Sequence, residues 1–421
     1  MILWITFILC IITIGVEFKY IGNITKIKFH PLMILSTIWI FVFWGVFATI
    51  QFRASIGAII IYILILISGA LTITLCCFHK KKDKQFSTNE FLRIIGNNYN
   101  VLMKTLIICM VFRCLQLVYD AYVLKKLGVS VISIFGDSQP LRQAYLNYSS
   151  SGMSFIAVIL SNVLNYFAEF GIVLSAIISS YKKKYFTVIC SLILALLHST
   201  LTLSKMAFFL DVCFVISTFM VTLNYNIISG NKKKEKEDKK NRTKLIIFMG
   251  VAIIGLLVLT SIQRGYGEST ALSDNIRVTF EKAIAYFITP SLAFLKVLDM
   301  NITYSFGTKT FNVLLKLLGY NFENFGAIDV GSEDSTVYTM SGMFYADFSY
   351  FGAILLTVLT IVLCNHLYYR VYGNFKLSRL VLFISINTIL MMSFFTWMGR
   401  ITFFWTFPVF VLLYEKLFIK K

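Results

Sequence analysis

The sequence predicts an all-α polytopic membrane protein with about eleven transmembrane helices and a long extracytoplasmic loop that contains interfacial helices. Three observations lead there. Hydrophobic residues make up 58% of the chain and charged residues 14%, where soluble domains carry about a quarter charged residues. The apolar residues arrive in blocks of about 20, the length that crosses the hydrocarbon core of a bilayer. The net charge of +19 is concentrated in short loops between those blocks, the positive-inside pattern of a multi-pass protein. That placement argues against a nucleic-acid surface, which would gather the cations on one soluble face.

The blocks fall at 2–18, 31–51, 55–78, 100–123, 153–179, 185–203, 206–228, 245–262, 347–370, 378–396 and 401–418. They divide the chain into an N-terminal transmembrane bundle at 1–262 (about eight helices), a loop at 263–346 and C-terminal transmembrane helices at 347–421. Met1 opens into an apolar run with no basic leader or small-residue cleavage site, so the first block reads as a retained helix. No internal repeat is evident. With four prolines (Pro31, Pro140, Pro290, Pro408), the helices broken at midplane that mark transporters are not signalled.

Charge sets the orientation. Lys26 and Lys28, Lys80 to Lys84, Lys182 to Lys184, the run 231–244 and Arg370, Lys376 and Arg379 lie in alternate loops, and Lys420 and Lys421 end the chain. These loops are therefore expected in the cytoplasm with the C-terminus, and the N-terminus outside. Glu235, Glu237 and Asp238 within 231–244 make that run a solvated loop. The opposite face carries loops 124–152 and 263–346. In the longer one, 283–298 is apolar but short and contains Pro290 and Lys296, which reads as a re-entrant or interfacial segment. The stretch 308–318 reads as an amphipathic helix along the membrane surface. Long ordered loops on a rigid scaffold usually carry function.

The outward face gathers cations that the charge rule disfavours: Arg142, Lys205, Arg264, Arg277, Lys282, Lys309 and Arg400. They suit an anionic headgroup such as a lipid pyrophosphate, since guanidinium binds phosphate in two-pronged fashion. The competing reading is snorkelling to ordinary headgroups. Within the spans, Arg113, Gln116 and Asp120 share one helical face, as do Asn162, Asn165 and Glu169, with Asp211 in a third span. Such residues face the protein interior or a wet cavity, and Arg113 with Glu169 is one possible pair. The cysteines, mostly inside apolar blocks and without metal-ligand spacing, read as small hydrophobes. Walker-type, zinc-protease and D-x-D motifs are absent, which excludes an ATP-driven pump or a sugar-nucleotide enzyme within this chain.

From 301 onward the pattern sharpens. Phe306-Gly307-Thr308-Lys309-Thr310-Phe311 leads into the amphipathic stretch, an acidic polar segment (Asp329 to Asp334) follows, and Thr336-Val337-Tyr338-Thr339 precedes Phe344-Tyr345-Ala346-Asp347-Phe348 and Phe351-Gly352. This resembles the Wzy-type oligosaccharide repeat-unit polymerases of O-antigen and capsule synthesis. They carry a G-x-x-T-F helix, an Asn-x-Tyr-Thr-like element and Asp-Phe-Gly-x-x-Gly entering a helix. Departures are Lys205 where the family often has Arg, and Ser349 where it has the first Gly.

The resemblance implies a bacterial inner-membrane, metal-independent glycosyltransferase with no cofactor. It would transfer the growing glycan from undecaprenyl pyrophosphate to an incoming lipid-linked repeat unit. Its partners would be undecaprenyl-pyrophosphate-linked oligosaccharide, membrane lipids and a chain-length regulator, with no nucleic acid. The expected catalytic candidates are Arg264, Glu281, Asp347 and His198, with a carboxylate or His as base. Arg142, Lys205, Arg264, Arg277, Lys309, Tyr338 and Arg400 are expected to hold pyrophosphate or glycan. Two rivals stay open. A flippase for the lipid-linked oligosaccharide would want charges in a central cavity, which look sparse here, and an O-antigen ligase would share the donor but use another acceptor.

Overall fold

The computed structural model describes residues 30–35, 37–39, 42, 88–126, 128, 155–202, 204–228, 243–255, 272–300, 302–320, 328–329, 334–335 and 337–420. The described chain is helical apart from a two-residue antiparallel pair, β1 (Ile328–Asp329) with β2 (Asp334–Ser335). The helices are α1 (Thr88–Asn97), α2 (Tyr99–Lys126), α3 (Phe155–Lys182), α4 (Phe186–Leu201), α5 (Lys205–Ile228), α6 (Thr243–Gly255), α7 (Leu272–Asp299), α8 (Asn312–Leu317), α9 (Met340–Gly373), α10 (Leu377–Met391) and α11 (Phe403–Phe418). Among the described residues, Tyr99–Lys126, Ile159–Lys182 and Met340–Gly373 are long and apolar enough to cross a membrane; α4, α6, α10 and parts of α5 and α7 are shorter apolar helices.

The chain forms two compact units. One comprises Thr88–Ala283 with Phe410–Lys421, the other Met1–Ser87 with Ile284–Val409. In the first, α2, α3, α4 and α5 pack as a bundle and α1 lies against α2 and α5. The polarity of α2 is inside-out. Val118 is 67% exposed and Ile107, Ile108, Val111 and Leu115 are also exposed, whereas Arg113, Gln116 and Asp120 are buried. A helix that turns its aliphatic side outward and its charges inward suits lipid rather than water. Small residues let the helices close up, as in membrane bundles generally. Any Cβ at Gly171 would stand 2.9 Å from Cys109 Cβ, and Ser180 Oγ meets Thr222 Oγ1 at 2.7 Å between α3 and α5. Asn98 holds the chain just past α11, accepting from Lys420 N and donating to Lys420 O, both at 2.8 Å.

In the second unit α9 and α10 pack together. Leu355, Leu359 and Leu363 recur every fourth residue on the exposed side of α9, opposite buried Thr360, Cys364 and Tyr368. Tyr368 packs on Tyr372 and Phe383. Residues of the second unit near the N-terminus join this core: His30 Nε2 lies 3.2 Å from Tyr369 Oη and Trp39 Nε1 donates to Ser393 Oγ at 2.9 Å.

Three expectations change. The segment expected at 283–298 is part of one longer helix, Leu272–Asp299, with Pro290 inside it; burial of Ile288, Ala293, Phe294 and Val297 holds it together. The helix expected at 308–318 is confined to Asn312–Leu317, because the residues before it are committed to a turn described below. The span expected at 347–370 belongs to a helix that begins at Met340, where Thr339 caps it by accepting from Gly342 N at 3.1 Å, and that is broken at Phe348 and Ser349. The helix α1 was not expected. Its Phe91 and Ile95 are buried at helical spacing, a signal hidden beside the basic run at 80–84. The first three expected spans (except the described residues of 31–42), most of loop 124–152 and the run 231–242 lie outside the described residues.

Candidate functional site

The two stretches that carry the sequence resemblance meet at one buried carboxylate. Asp347 is fully buried. Its Oδ2 accepts from Thr310 N at 2.6 Å and Lys309 N at 3.2 Å, and its Oδ1 accepts from Ser305 Oγ at 2.5 Å. Main-chain bonds add to the clamp: Ser305 N donates to Ala346 O at 3.1 Å and Phe306 N to Asp347 O at 3.2 Å. The turn is possible because Phe306 (φ 45°) and Gly307 (φ 96°) take left-handed backbone, and Gly307 has no room for a side chain: a Cβ would come 2.9 Å from Phe311 and 3.2 Å from Phe348. Trp397 closes the other side. Its Nε1 donates to Thr310 O at 2.9 Å and its ring meets Phe344 edge-on at 4.8 Å.

Immediately after Asp347 the helix breaks. Ser349 sits at φ 63°, ψ −166°, a region essentially reserved for glycine. Gly352 is equally constrained, since a Cβ there would lie 2.1 Å from Phe348 Cβ. Both positions of the Gly-x-x-Gly spacing thus have a physical reason, and the chain departs from it where it retains strain.

Around the clamp, Lys309 is half-buried; burial pulls its ammonium below the ordinary value while the Asp347 carboxylate opposes the shift. Arg400 lies in the 3-10 turn Met398–Arg400, and burial likewise lowers its guanidinium from the ordinary value. That turn needs Gly399, where a Cβ would collide with Trp397 at 2.1 Å. Tyr338 is 2% exposed, and burial pushes its phenol up to about 12. It stands beside Thr339, the cap of α9.

The other expected residues belong to the first unit. His198 Nδ1 lies 2.7 Å from Asp120 Oδ2, so this imidazole has a carboxylate partner. Arg277 Nε and Glu281 Oε1 face each other at 3.6 Å on an exposed side of α7; Glu281, expected as a base, has a cation beside it. Lys205 begins α5, its side chain lying outside the described residues, as do Arg142 and Arg264 altogether.

The in-span polar residues converge inside the bundle. Arg113 Nη2 donates to Asp211 Oδ2 at 2.9 Å and Nη1 to Gln116 Oε1 at 2.9 Å, and Gln116 donates in turn to Asn165. The partner of Arg113 is thus Asp211, and the expected Arg113–Glu169 pair is not the one formed. The bidentate reach of the guanidinium is taken up by Gln116 and Asp211, with Glu169 standing alongside.

No family model, curated protein or solved structure matches the chain. Local geometry therefore carries the functional argument. Sequence reasoning missed Ser305 and Trp397. No local pattern marks Ser305, whereas Trp397 belongs to a Trp-Met-Gly-Arg turn whose glycine the structure explains.

Proposed function

We propose that the protein is a polytopic membrane polymerase of lipid-linked oligosaccharide repeat units, of the Wzy type, with about eleven spans. In this reading the loop 263–346 lies outside a bacterial inner membrane and the C-terminus in the cytoplasm. The single observation that supports it is the Asp347 clamp. The Phe306–Phe311 and Phe344–Gly352 stretches are far apart in sequence, and each is weak evidence alone. Their union around one buried carboxylate makes them one element, which holds Lys309 next to the start of a membrane-spanning helix.

The chemistry follows from the leaving group. The acceptor hydroxyl of a lipid-linked repeat unit attacks the anomeric carbon of the donor glycan. The bond from that carbon to the pyrophosphate oxygen breaks, the hydroxyl proton passes to a base, and undecaprenyl pyrophosphate departs with its bonding electrons. Negative charge grows on pyrophosphate, so fixed cations lower the barrier. Arg264, Arg142, Arg277, Lys205, Lys309 and Arg400 are the candidates for that task. Asp347, whose oxygens already accept three donors, is assigned to positioning the loop; His198 and Glu281 are the candidate bases.

A second reading, movement of the lipid-linked oligosaccharide across the membrane, draws on the charges buried in the α2–α5 bundle, which are more concentrated than the sequence indicates. Sizing the surface glycan of a deletion strain separates the two. Loss of a polymerase leaves single-repeat products at the surface; loss of a flippase leaves repeat units inside the cell; loss of a ligase leaves long unattached polymer.

A further inference from the structure

The interior of the α2–α5 bundle contains more acid than base. Arg113 from α2 is engaged by Asp211 from α5, with side-chain exposures of 4% and 0%. His198 from α4 is engaged by Asp120 from α2. Each basic side chain thus has its own carboxylate. Glu169, one turn beyond the Asn165 on α3 that accepts from Gln116, then adds a third acid beside Asp211 and Arg113, without a cation of its own among the described residues. Cys213 on α5 also faces Asp211.

The hydrogen bonding is incomplete at the same place. Arg113 Nε, Asp211 Oδ1 and Glu169 Oε2 are all buried without a partner among the described residues. A donor and two acceptors left open in one cluster, on side chains as enclosed as Arg113 and Asp211, point to something held there. In an apolar surround an unpaired carboxylate is far too costly to keep. One proton removes the surplus charge and supplies the donor that two carboxylates lack. A metal cation is a poorer fit: the Arg113 guanidinium already occupies Asp211, and no cluster of three or more acidic, His or Cys side chains suited to a metal exists among the described residues.

We propose that the interior of the α2–α5 bundle is a binding site for one proton, held between Glu169 and Asp211. Glu169 carries the proton, since the Arg113 guanidinium is spent on Asp211 and Gln116. Release of that proton changes the interior charge by one and leaves Arg113 to serve two carboxylates, so the packing of α3 against α5 depends on occupancy. The proposal does not rest on the polymerase reading; the test reads a bond vibration and involves no glycan.

The test is infrared spectroscopy of the full chain reconstituted in lipid at neutral pH, in sodium and in sodium-free choline media. The expected result is a carboxylic-acid carbonyl band that shifts in deuterium oxide, is the same in both media, and is lost in Glu169→Gln. Absence of the band, or its persistence in a folded Glu169→Gln protein, overturns the assignment. A band that appears only without sodium overturns it in favour of a cation. If Glu169→Gln does not accumulate, the wild type is treated with a hydrophobic carbodiimide, which modifies protonated carboxyl groups, and mapped by mass spectrometry. An adduct on Glu169 that declines as pH rises is expected; an unmodified Glu169 overturns the proposal.

Discussion

The Asp347 carboxylate holds the backbone amide of Thr310 at 2.6 Å, tying the loop before α8 to the break in α9. Replacing Asp347 with Ala strands the buried amides of Lys309 and Thr310, and each unsatisfied group costs about 1–3 kcal/mol. Asp347→Ala is expected to lose about 3 kcal/mol and to become sensitive to trypsin after Lys309, with polymer formation lost. Asp347→Asn keeps an acceptor and should lose about half as much. Thermal unfolding in detergent, with mapping of the first tryptic cut, checks both; a wild-type cleavage pattern in Asp347→Ala would remove the loop-anchoring role.

Ser349 is strained, and glycine is the remedy. Its φ 63°, ψ −166° backbone costs of order 1–3 kcal/mol for a residue with a Cβ, partly offset by the extra freedom glycine has when unfolded. Ser349→Gly should raise stability by about 1 kcal/mol, whereas Ser349→Ala should not. Gly352→Ala should accumulate poorly, because its Cβ would meet Phe348 at 2.1 Å. Melting temperatures and membrane abundance of the three variants decide the matter.

Arg113 and Asp211 make a buried pair whose halves are worth less than the whole. Removing one partner leaves an uncompensated charge, at a cost of about 3–5 kcal/mol. Arg113→Met alone should therefore abolish stable accumulation, while Arg113→Met with Asp211→Leu should recover most of it. A double variant no better than the single one would mean that Arg113 serves another partner more strongly.

The contrast with Arg277 and Glu281 is instructive. Their side chains are 72% and 65% exposed, and exposed pairs contribute little. Arg277→Ala should change stability by less than about 0.5 kcal/mol, so any loss of polymer in that variant reports on substrate rather than folding. Normal polymer length in a normally expressed Arg277→Ala strain would strike Arg277 from the candidate cations.

How much was legible depended on the range of the forces involved. Block length anticipated the three helices long and apolar enough to cross a membrane, because a run of about 20 apolar residues is written locally in the sequence; which face of α2 turns inward, with Leu106 and Cys109 buried and Ile107 and Ile108 exposed, is set by its neighbours. The Asp347 clamp was half legible: both stretches stood out, but their meeting requires Trp397 and a left-handed Gly307, neither of which periodicity encodes. The turn also consumed the start of the amphipathic helix, which hydropathy alone extended to 308. The pairing of Arg113 was not legible, since Asp211 and Glu169 are equally acidic and only three-dimensional packing selects between them. Pro290 and Lys296 pointed to a short re-entrant or interfacial segment at 283–298; that stretch is part of the longer helix Leu272–Asp299.

Purified protein in liposomes, supplied with undecaprenyl-pyrophosphate-linked single repeats from its own deletion strain, distinguishes polymerisation from transport. A polymerase gives a ladder of glycans at integer multiples of the repeat, with stoichiometric release of undecaprenyl pyrophosphate, and Arg264→Ala slows the ladder by roughly a hundredfold. Single repeats that persist unchanged, or that cross the bilayer without lengthening, would contradict the polymerase reading.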